Sequence, residues 1–386
     1  MRKRLSALLC ATLVATMLVG CGSKNNAPAN TTGGNAETKT EDTQKSAEDA
    51  AATGVVGKKV AVVRNLANGD HTQQFLAGCV EEGEKMGMTV DTFVTDGDDA
   101  KCQETVAQVI SKDYDAIVVS HGQLSYSYNM LLPAVEKGMK VVTFDTMPYE
   151  NGDASGKLLE GVTSTAQDDY ALAELSLGFM MQEFEAKGGK YPMKVLKTFM
   201  GPGVPPLDRR NEIYIKLEKE GKIETVQVIA PSDSANARGD MTTKTEAILP
   251  TVEAGSVDAI WGCYDELAKG VLQALNDAKR TDLPMYTIDV SNDDIQLMVT
   301  NGDVWKSTAA VDPKLIGIVD MRLIALKLVG EETPEYFNLS ASNIPTTVLK
   351  EGNTMQDLAS IVDGWGDASS ATGALFTETI ENLYVK

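Results

Sequence analysis

The sequence predicts an α/β protein built as two doubly wound parallel-sheet lobes, and three observations carry that prediction. Short β-branched runs alternate with helix-length amphipathic stretches from Lys58 onward. Glycine and acidic turns bound the runs, as in strand-helix-strand crossovers. The alternation completes one cycle and then starts again, and 386 residues are more than one core usually holds.

In the first cycle, Lys58 to Val63 (K-K-V-A-V-V) reads as a buried strand, followed by a helix from about Phe75 to Met86. Met88 to Val94 is the next strand, then a helix from about Asp99 to Ser111. Its acidic start, Asp96-Gly97-Asp98-Asp99, is too short for a calcium loop and suits a helix cap. A strand at Asp115 to Val119, a helix from about Tyr126 to Glu136 and a strand at Lys140 to Phe144 complete the unit.

The second cycle opens with a helix from about Gln167 to Glu185 and a strand at Lys194 to Phe199. A helix from about Asp208 to Glu220 and a strand at Thr225 to Ile229 follow, then a helix from about Arg238 to Leu249. The stretch Asp258 to Gly270 (D-A-I-W-G-C-Y-D-E-L-A-K-G) has a strand core containing Trp261, a break at Gly262 and an amphipathic helix after it. Ligands of open parallel sheets bind outside the carboxyl ends of strands, so Tyr264 falls at the edge of such a crevice. Asp265 and Glu266 suit the start of the helix. A strand at Pro284 to Ile288, a helix from about Asp293 to Thr300 and a strand at Val304 to Thr308 follow. Asp312-Pro313 has the form of a cap with proline first in its helix, here to Val329. Short strand-like pieces near Tyr336 to Leu339 and Thr346 to Leu349 come last; such late elements are placed to cross back between lobes.

The chain starts with Arg2, Lys3 and Arg4, an apolar run from Leu5 to Val19, and L-V-G-C ending at Cys21. This is an export signal too short to be read as a spanning helix. Its ending resembles a bacterial lipobox, which makes Cys21 the expected lipid-modified first residue, anchored to the outer face of a bacterial cell membrane. Residues 22–57 lack apolar periodicity and read as a flexible tether. Cys79, Cys102 and Cys263 remain, an odd number without paired spacing, which predicts buried small hydrophobes rather than a metal cluster. A formal net charge of −20 argues against nucleic acid as a partner.

Six landmarks in order carry a family resemblance: V-A-V-V-R-N-L-A-N from Val60, V-V-T-F-D-T from Val141, L-D-R-R-N-E-I-Y from Leu207, Y-D-E-L-A-K-G from Tyr264, M-Y-T-I-D from Met285 and D-P-K-L-I-G from Asp312. The chain resembles a sugar-type periplasmic binding protein of the ribose and galactose class, the solute receptor of ABC importers, in lipoprotein form. The resemblance covers roughly Lys58 to Lys350. It implies a type I fold with three hinge crossings near Thr163, Asp312 and Leu339. Residues 58–163 with 312–339 would form one lobe and 164–311 with 340–350 the other, leaving 351–386 as an extension of unassigned role. It further implies a monomer that captures a small polar solute, a monosaccharide in the first instance, by hinge closure and hands it to a membrane permease. It implies neither a cofactor nor an enzymatic reaction.

The resemblance also nominates a ligand site. Asp145 matches the family's sugar-binding aspartate, Arg210 its arginine near the start of a second-lobe helix, Asp289 its strand-end aspartate and Asn68 its first-loop asparagine. Where many relatives carry paired aromatics this chain has Asp70 and His71, where asparagines are common it has His121 and Tyr264, and Val311 replaces a glutamine of ribose-type members. The stacking candidates are Tyr126, Tyr128, Tyr149 and Tyr264, of which Tyr128 and Tyr149 also suit ordinary packing; Trp261 reads as core.

His71 and His121 are the only histidines, and both follow first-lobe strands. Direct ligand contact by them predicts affinity that changes between about pH 5 and 7. A metal site from Asp70, His71, His121 and Asp145 lacks close ligand spacing. Neither G-x-G-x-x-G nor G-x-S-x-G occurs, and the loop Gly201 to Pro206 is poor in amide donors. The alternatives to import are a chemosensory or quorum-signal receptor and a nucleoside-binding lipoprotein using the same cleft.

Overall fold

The computed structural model describes residues 54–66, 68–232, 236–366 and 375–385. The expected export signal, Cys21 and all but the last four residues of the expected tether lie outside them.

The first sheet contains β1 (Lys59–Arg64), β2 (Thr89–Val94), β3 (Ala116–Ser120), β4 (Lys140–Phe144), β5 (Val162–Gln167) and β11 (Tyr336–Leu339), in the order β11-β5-β4-β3-β1-β2. Every neighbouring pair is parallel. The second sheet contains β6 (Met193–Thr198), β7 (Ile223–Ile229), β8 (Ala259–Gly262), β9 (Met285–Ile288), β10 (Trp305–Ala310) and β12 (Ser342–Pro345), in the order β12-β10-β9-β8-β6-β7. Only its β10/β12 edge pair is antiparallel. Central strands such as β3 (A-I-V-V-S) and β8 (A-I-W-G) are buried throughout, as parallel strands covered by helices on both faces must be. Strand order reverses at β1/β3 and at β6/β8, the two places where such sheets open a crevice.

Helices α1 (Asp70–Lys85), α2 (Asp99–Ser111), α3 (Leu124–Glu136) and α9 (Pro313–Val329) pack on the first sheet. The second lobe carries α4 (Asp169–Ala186), α5 (Pro205–Lys219), α6 (Ala237–Ile248), α7 (Asp265–Asp277) and α8 (Asn292–Thr300). Two helix pairs approach closely at glycines. A Cβ on Gly317 of α9 would stand 2.2 Å from the Phe75 carbonyl oxygen of α1, and one on Gly270 of α7 would stand 2.3 Å from that of Arg238 in α6. Both glycines close landmark motifs.

The two-lobe α/β class is as the sequence predicts, but several elements are shifted or were unforeseen. β5 (V-T-S-T-A-Q) was unforeseen because it reads as polar. Its Thr163, Ser164 and Thr165 are buried with their hydroxyls satisfied; Thr163 Oγ1 donates to the Pro334 carbonyl (2.7 Å) and Thr165 Oγ1 to Asp320 (2.8 Å). α1 starts at Asp70 rather than Phe75, since an acid favours a helix N-terminus without adding apolar periodicity. α5 starts at Pro205 rather than Asp208, with proline preset for the first position. The last strand of the second sheet is Ser342–Pro345, and Thr346–Val348 is a 3-10 turn. Met355 to Val362 holds one 3-10 turn, Asp357–Ser360, in place of a helix.

The chain passes between sheets after β5, after β10 and after β11. Thr163 lies inside β5, so the first passage follows Gln167. The extension holds to both lobes. Met355 N–H donates to Asn292 Oδ1 at 2.9 Å, and Gln296 donates to the Asn353 carbonyl at 2.7 Å. Further along the extension, α10 (Glu378–Leu383) packs on α9 of the first lobe, Tyr384 donates to Glu82 at 2.5 Å, and Val385 N–H to the Lys85 carbonyl at 2.8 Å. Cys79, Cys102 and Cys263 are free and buried.

Candidate functional site

Both sheets present polar residues at the carboxyl ends of their central strands. In the first lobe, β1 ends on Arg64, β3 runs into His121 and β4 into Asp145. In the second, β8 leads to Tyr264 and β9 to Asp289. His121 (φ 63°), Asp145 (φ 44°) and Asp289 (φ 75°) all adopt left-handed backbone, a conformation that costs free energy in non-glycine residues and collects at functional sites. Backbone bonds hold each in place: His121 N–H to the Phe144 carbonyl (3.1 Å), Asp145 N–H to that of Thr165 (2.9 Å) and Asp289 N–H to that of Ala309 (2.9 Å).

Arg64, which the sequence reading left aside, organises the first-lobe half. Its buried guanidinium lies 4.5 Å from the Phe75 ring centroid and 5.6 Å from that of Phe144. Nη2 is 2.7 Å from His71 Nδ1; Nη1 is 3.3 Å from His121 Nδ1 and 3.1 Å from Ser120 Oγ. Burial brings its pKa down to about 10, opposed by Asp145. Burial and then the Arg64 charge push His71 down to about 3, and His121 moves well down for the same two reasons, with His71 adding to them. Both shifts favour the neutral imidazole in the ligand-free chain.

Asp145 stands opposite these rings, its Oδ2 3.9 Å from His121 Nε2 and its side chain 11% exposed. Burial and then Asp169 raise its pKa to about 7, against the pull of Arg209, Arg64 and Arg210. Burial thus holds the Asp145 carboxyl well above the usual carboxylate range, and Arg209 and Arg210 of the second lobe act on its charge.

Arg210 holds the second-lobe half together. Its side chain is 3% exposed; Nε donates to Asp169 (2.8 Å), Nη1 to the Cys263 carbonyl (2.9 Å) and to Asp289 (2.7 Å), and Nη2 to Asp289 (3.0 Å). Burial lowers its pKa, but Asp289 and Asp169 outweigh that and raise it. Four of the five N–H groups of a guanidinium are spent, so Arg210 builds the site more than it faces the cleft. Arg209 is the cation with room to reach a ligand. Its side chain is 29% exposed and donates to Asp169 through Nε (3.0 Å) and Nη2 (2.6 Å). The L-D-R-R-N motif holds both arginines, but only the packing separates their duties.

The other candidates are dispersed. Asn68 is exposed and accepts from Gln73. Asp70 is also exposed; its Oδ2 accepts from Asn292 N–H (3.1 Å) and links the first turn of α1 to the first residue of α8 in the other lobe. Tyr264 is half-buried at the start of α7, its phenol pKa raised by burial and then by Asp265. Asp265 lies in a buried cluster with Lys269 and Asp294. Tyr126 donates to Asp99 (2.7 Å), which also accepts from Asn65, and Trp261 is core, stacked on Tyr214 at 5.0 Å. Asp98 caps α2, as its acidic run predicts. Among the described residues no group of three or more His, Cys, Asp or Glu side chains is arranged to hold a metal ion, and no helix is long and apolar enough to cross a membrane.

The same architecture occurs in known structures. A sugar ABC transporter protein from Yersinia enterocolitica is 38% identical over 86% of this chain and 98% of its own, with a TM-score of 0.69. The 5-methylthioribose transporter solute-binding protein of Thermotoga lettingae is 24% identical over 84% and 98%, TM-score 0.67. An ABC transporter solute-binding protein from Agrobacterium vitis, solved with allitol, is 21% identical over 76% and 97%, TM-score 0.61. No curated protein sequence matches the chain. Residues 60–332 match the model of the periplasmic binding protein domain, and the chain belongs to that family.

Proposed function

We propose that this protein is the extracytoplasmic solute receptor of an ABC importer and that its ligand is a small polyhydroxylated molecule, a sugar in the first instance. One observation carries the reading. At the switch points one lobe gathers Arg64, His71, His121 and Asp145, and Arg209 and Arg210 of the other lobe act on the Asp145 charge; we read these groups as the two walls of one ligand cleft. A carboxylate accepts from adjacent hydroxyls, and guanidinium and imidazole N–H groups donate to ring and hydroxyl oxygens. Ligand touching both halves stabilises the closed form, because only that form makes both sets of contacts. The identity to a protein described as a sugar ABC transporter favours import over sensing. No residue of the cleft is required to make or break a covalent bond.

We further propose that the protein is a monomer delivering ligand to a membrane permease, and that Cys21 carries the lipid anchor, on the strength of the L-V-G-C motif. Metabolic labelling with a fatty acid, retained in the native chain and lost in C21S, tests the anchor. Mass spectrometry of ligand released from purified protein, followed by a thermal-shift panel of sugars, polyols and nucleosides, tests the function. A sugar or polyol that raises Tm supports the reading; a response to nucleosides alone overturns the ligand class.

A further inference from the structure

We propose that Arg64 is a positioning residue that holds His71 and His121 as neutral imidazoles, with each Nδ1 spent as an acceptor and each Nε2–H left as a donor. The argument is one of donor inventory. A guanidinium only donates, so a ring nitrogen bonded to it must be the unprotonated one. Arg64 reaches Nδ1 of both rings, at 2.7 Å for His71 and 3.3 Å for His121. The tautomer of both rings therefore follows from a single side chain.

The geometry leaves Arg64 little freedom. It ends a strand whose preceding four residues are buried, it lies against Phe75 and Phe144, and Ser120 Oγ takes a further donor. His121 is held as firmly, by its left-handed backbone, by Asn65 Nδ2 donating to its carbonyl (3.3 Å) and by an edge contact with Phe144 at 5.4 Å. The titratable groups around the pair are Asp145 beyond β4, Asp320 on α9, Cys79 on α1, and Arg209, Arg210 and Asp169 across the cleft. Arg64 disfavours a further positive charge beside it, so Asp145 alone does not draw a proton onto the rings.

The consequence concerns selection. Two N–H donors beside one acid suit a neutral ligand rich in acceptor oxygens, and give a cationic amine only Asp145. This step rests on the ligand site proposed above; the tautomer assignment does not, because it is a property of the ligand-free chain.

Long-range 1H–15N spectra of the tag-free, 15N-labelled full chain test the assignment. The chain has two histidines, and H71Q assigns them. The expected result is Nε2–H with an unprotonated Nδ1 in both rings from pH 5 to 8. In R64M at least one ring should gain a protonation midpoint within that range or populate the other tautomer, and R64K, which restores a donor, should return His71 to the native pattern. A proton on Nδ1 of either ring in the native chain, or native spectra in R64M, overturns the proposal. Should R64M fail to fold, the native and R64K spectra still decide it, and an R64K spectrum with His71 protonated near pH 6 overturns the proposal. A sugar panel that fails while the spectra match would overturn the ligand reading and leave the role of Arg64 standing.

Discussion

Arg210 and Asp289 form a two-pronged ion pair, Nη1 to Oδ2 at 2.7 Å and Nη2 to Oδ1 at 3.0 Å, that ties the start of α5 to the end of β9. The same guanidinium also holds Asp169 and the Cys263 carbonyl. The sequence nominates Arg210 as a ligand contact. Its partners give it a framework duty as well. R210A strands two carboxylates, and removing one member of a buried pair costs about 3–5 kcal/mol. Chemical denaturation of the ligand-free chain should show a loss of that order. Unchanged stability would mean that the pair is not part of the framework.

Asp145 makes a pH prediction with a defined sign. Its folded pKa of about 7 lies above the ordinary 3.8, so its contribution is present at pH 4 and lost as pH rises through 7. The difference corresponds to roughly 4 kcal/mol. His71 acts oppositely: with a folded pKa of about 3, stability falls as pH drops below 6.5. D145N removes the first term and keeps the left-handed backbone that asparagine tolerates. Relative to the native chain, D145N should therefore gain stability from pH 4 to pH 8. A difference that stays constant across that range would contradict the assignment.

How much of this was legible in the sequence depended on the kind of signal. Strands such as β1, β3 and β8 stood out because burial on both faces demands continuous apolar runs. β5 did not, because its buried hydroxyls are satisfied by partners distant in sequence. Asp145, Asp289 and Arg210 are nominated by motif position, and Arg209 enters only as a letter of the same motif; the sequence does not say which arginine is consumed by the framework. Asp169 engages both, and Arg210 alone is consumed further, by Asp289 and the Cys263 carbonyl, both distant in the chain. Arg64 carried a readable sign, a charge closing a buried strand, and its duty became plain only when His71 and His121 were seen to share it.

Gly317 and Gly78 give a stability prediction free of the ligand. A Cβ on Gly317 would sit 2.2 Å from the Phe75 carbonyl oxygen, and one on Gly78 2.1 Å from that of Lys314. Backbone does not yield as a side-chain tip does, so α1 and α9 must separate. Overpacking of this kind costs typically about 1–3 kcal/mol. G317A and G78A should each lower Tm, whereas G178A, with open space around its Cβ, should not. Equal Tm values for all three would refute the close helix contact.

Asp70 supplies the last prediction, because its carboxylate accepts the first N–H of α8 from the opposite lobe at 3.1 Å. An acid at a helix N-terminus stabilises by about 0.3–1 kcal/mol, and here the acid and the helix belong to different lobes. The contact therefore favours the closed arrangement without stabilising either lobe alone. D70A should weaken binding of the sugar or polyol identified by thermal shift by roughly two- to fivefold, an effect reduced by salt because Asp70 is exposed. D70N, which keeps an acceptor but no charge, should fall between D70A and the native chain. Small-angle scattering of ligand-free D70A should show a larger radius of gyration than the native chain. Native-like affinity together with native-like scattering would show that closure does not use this contact.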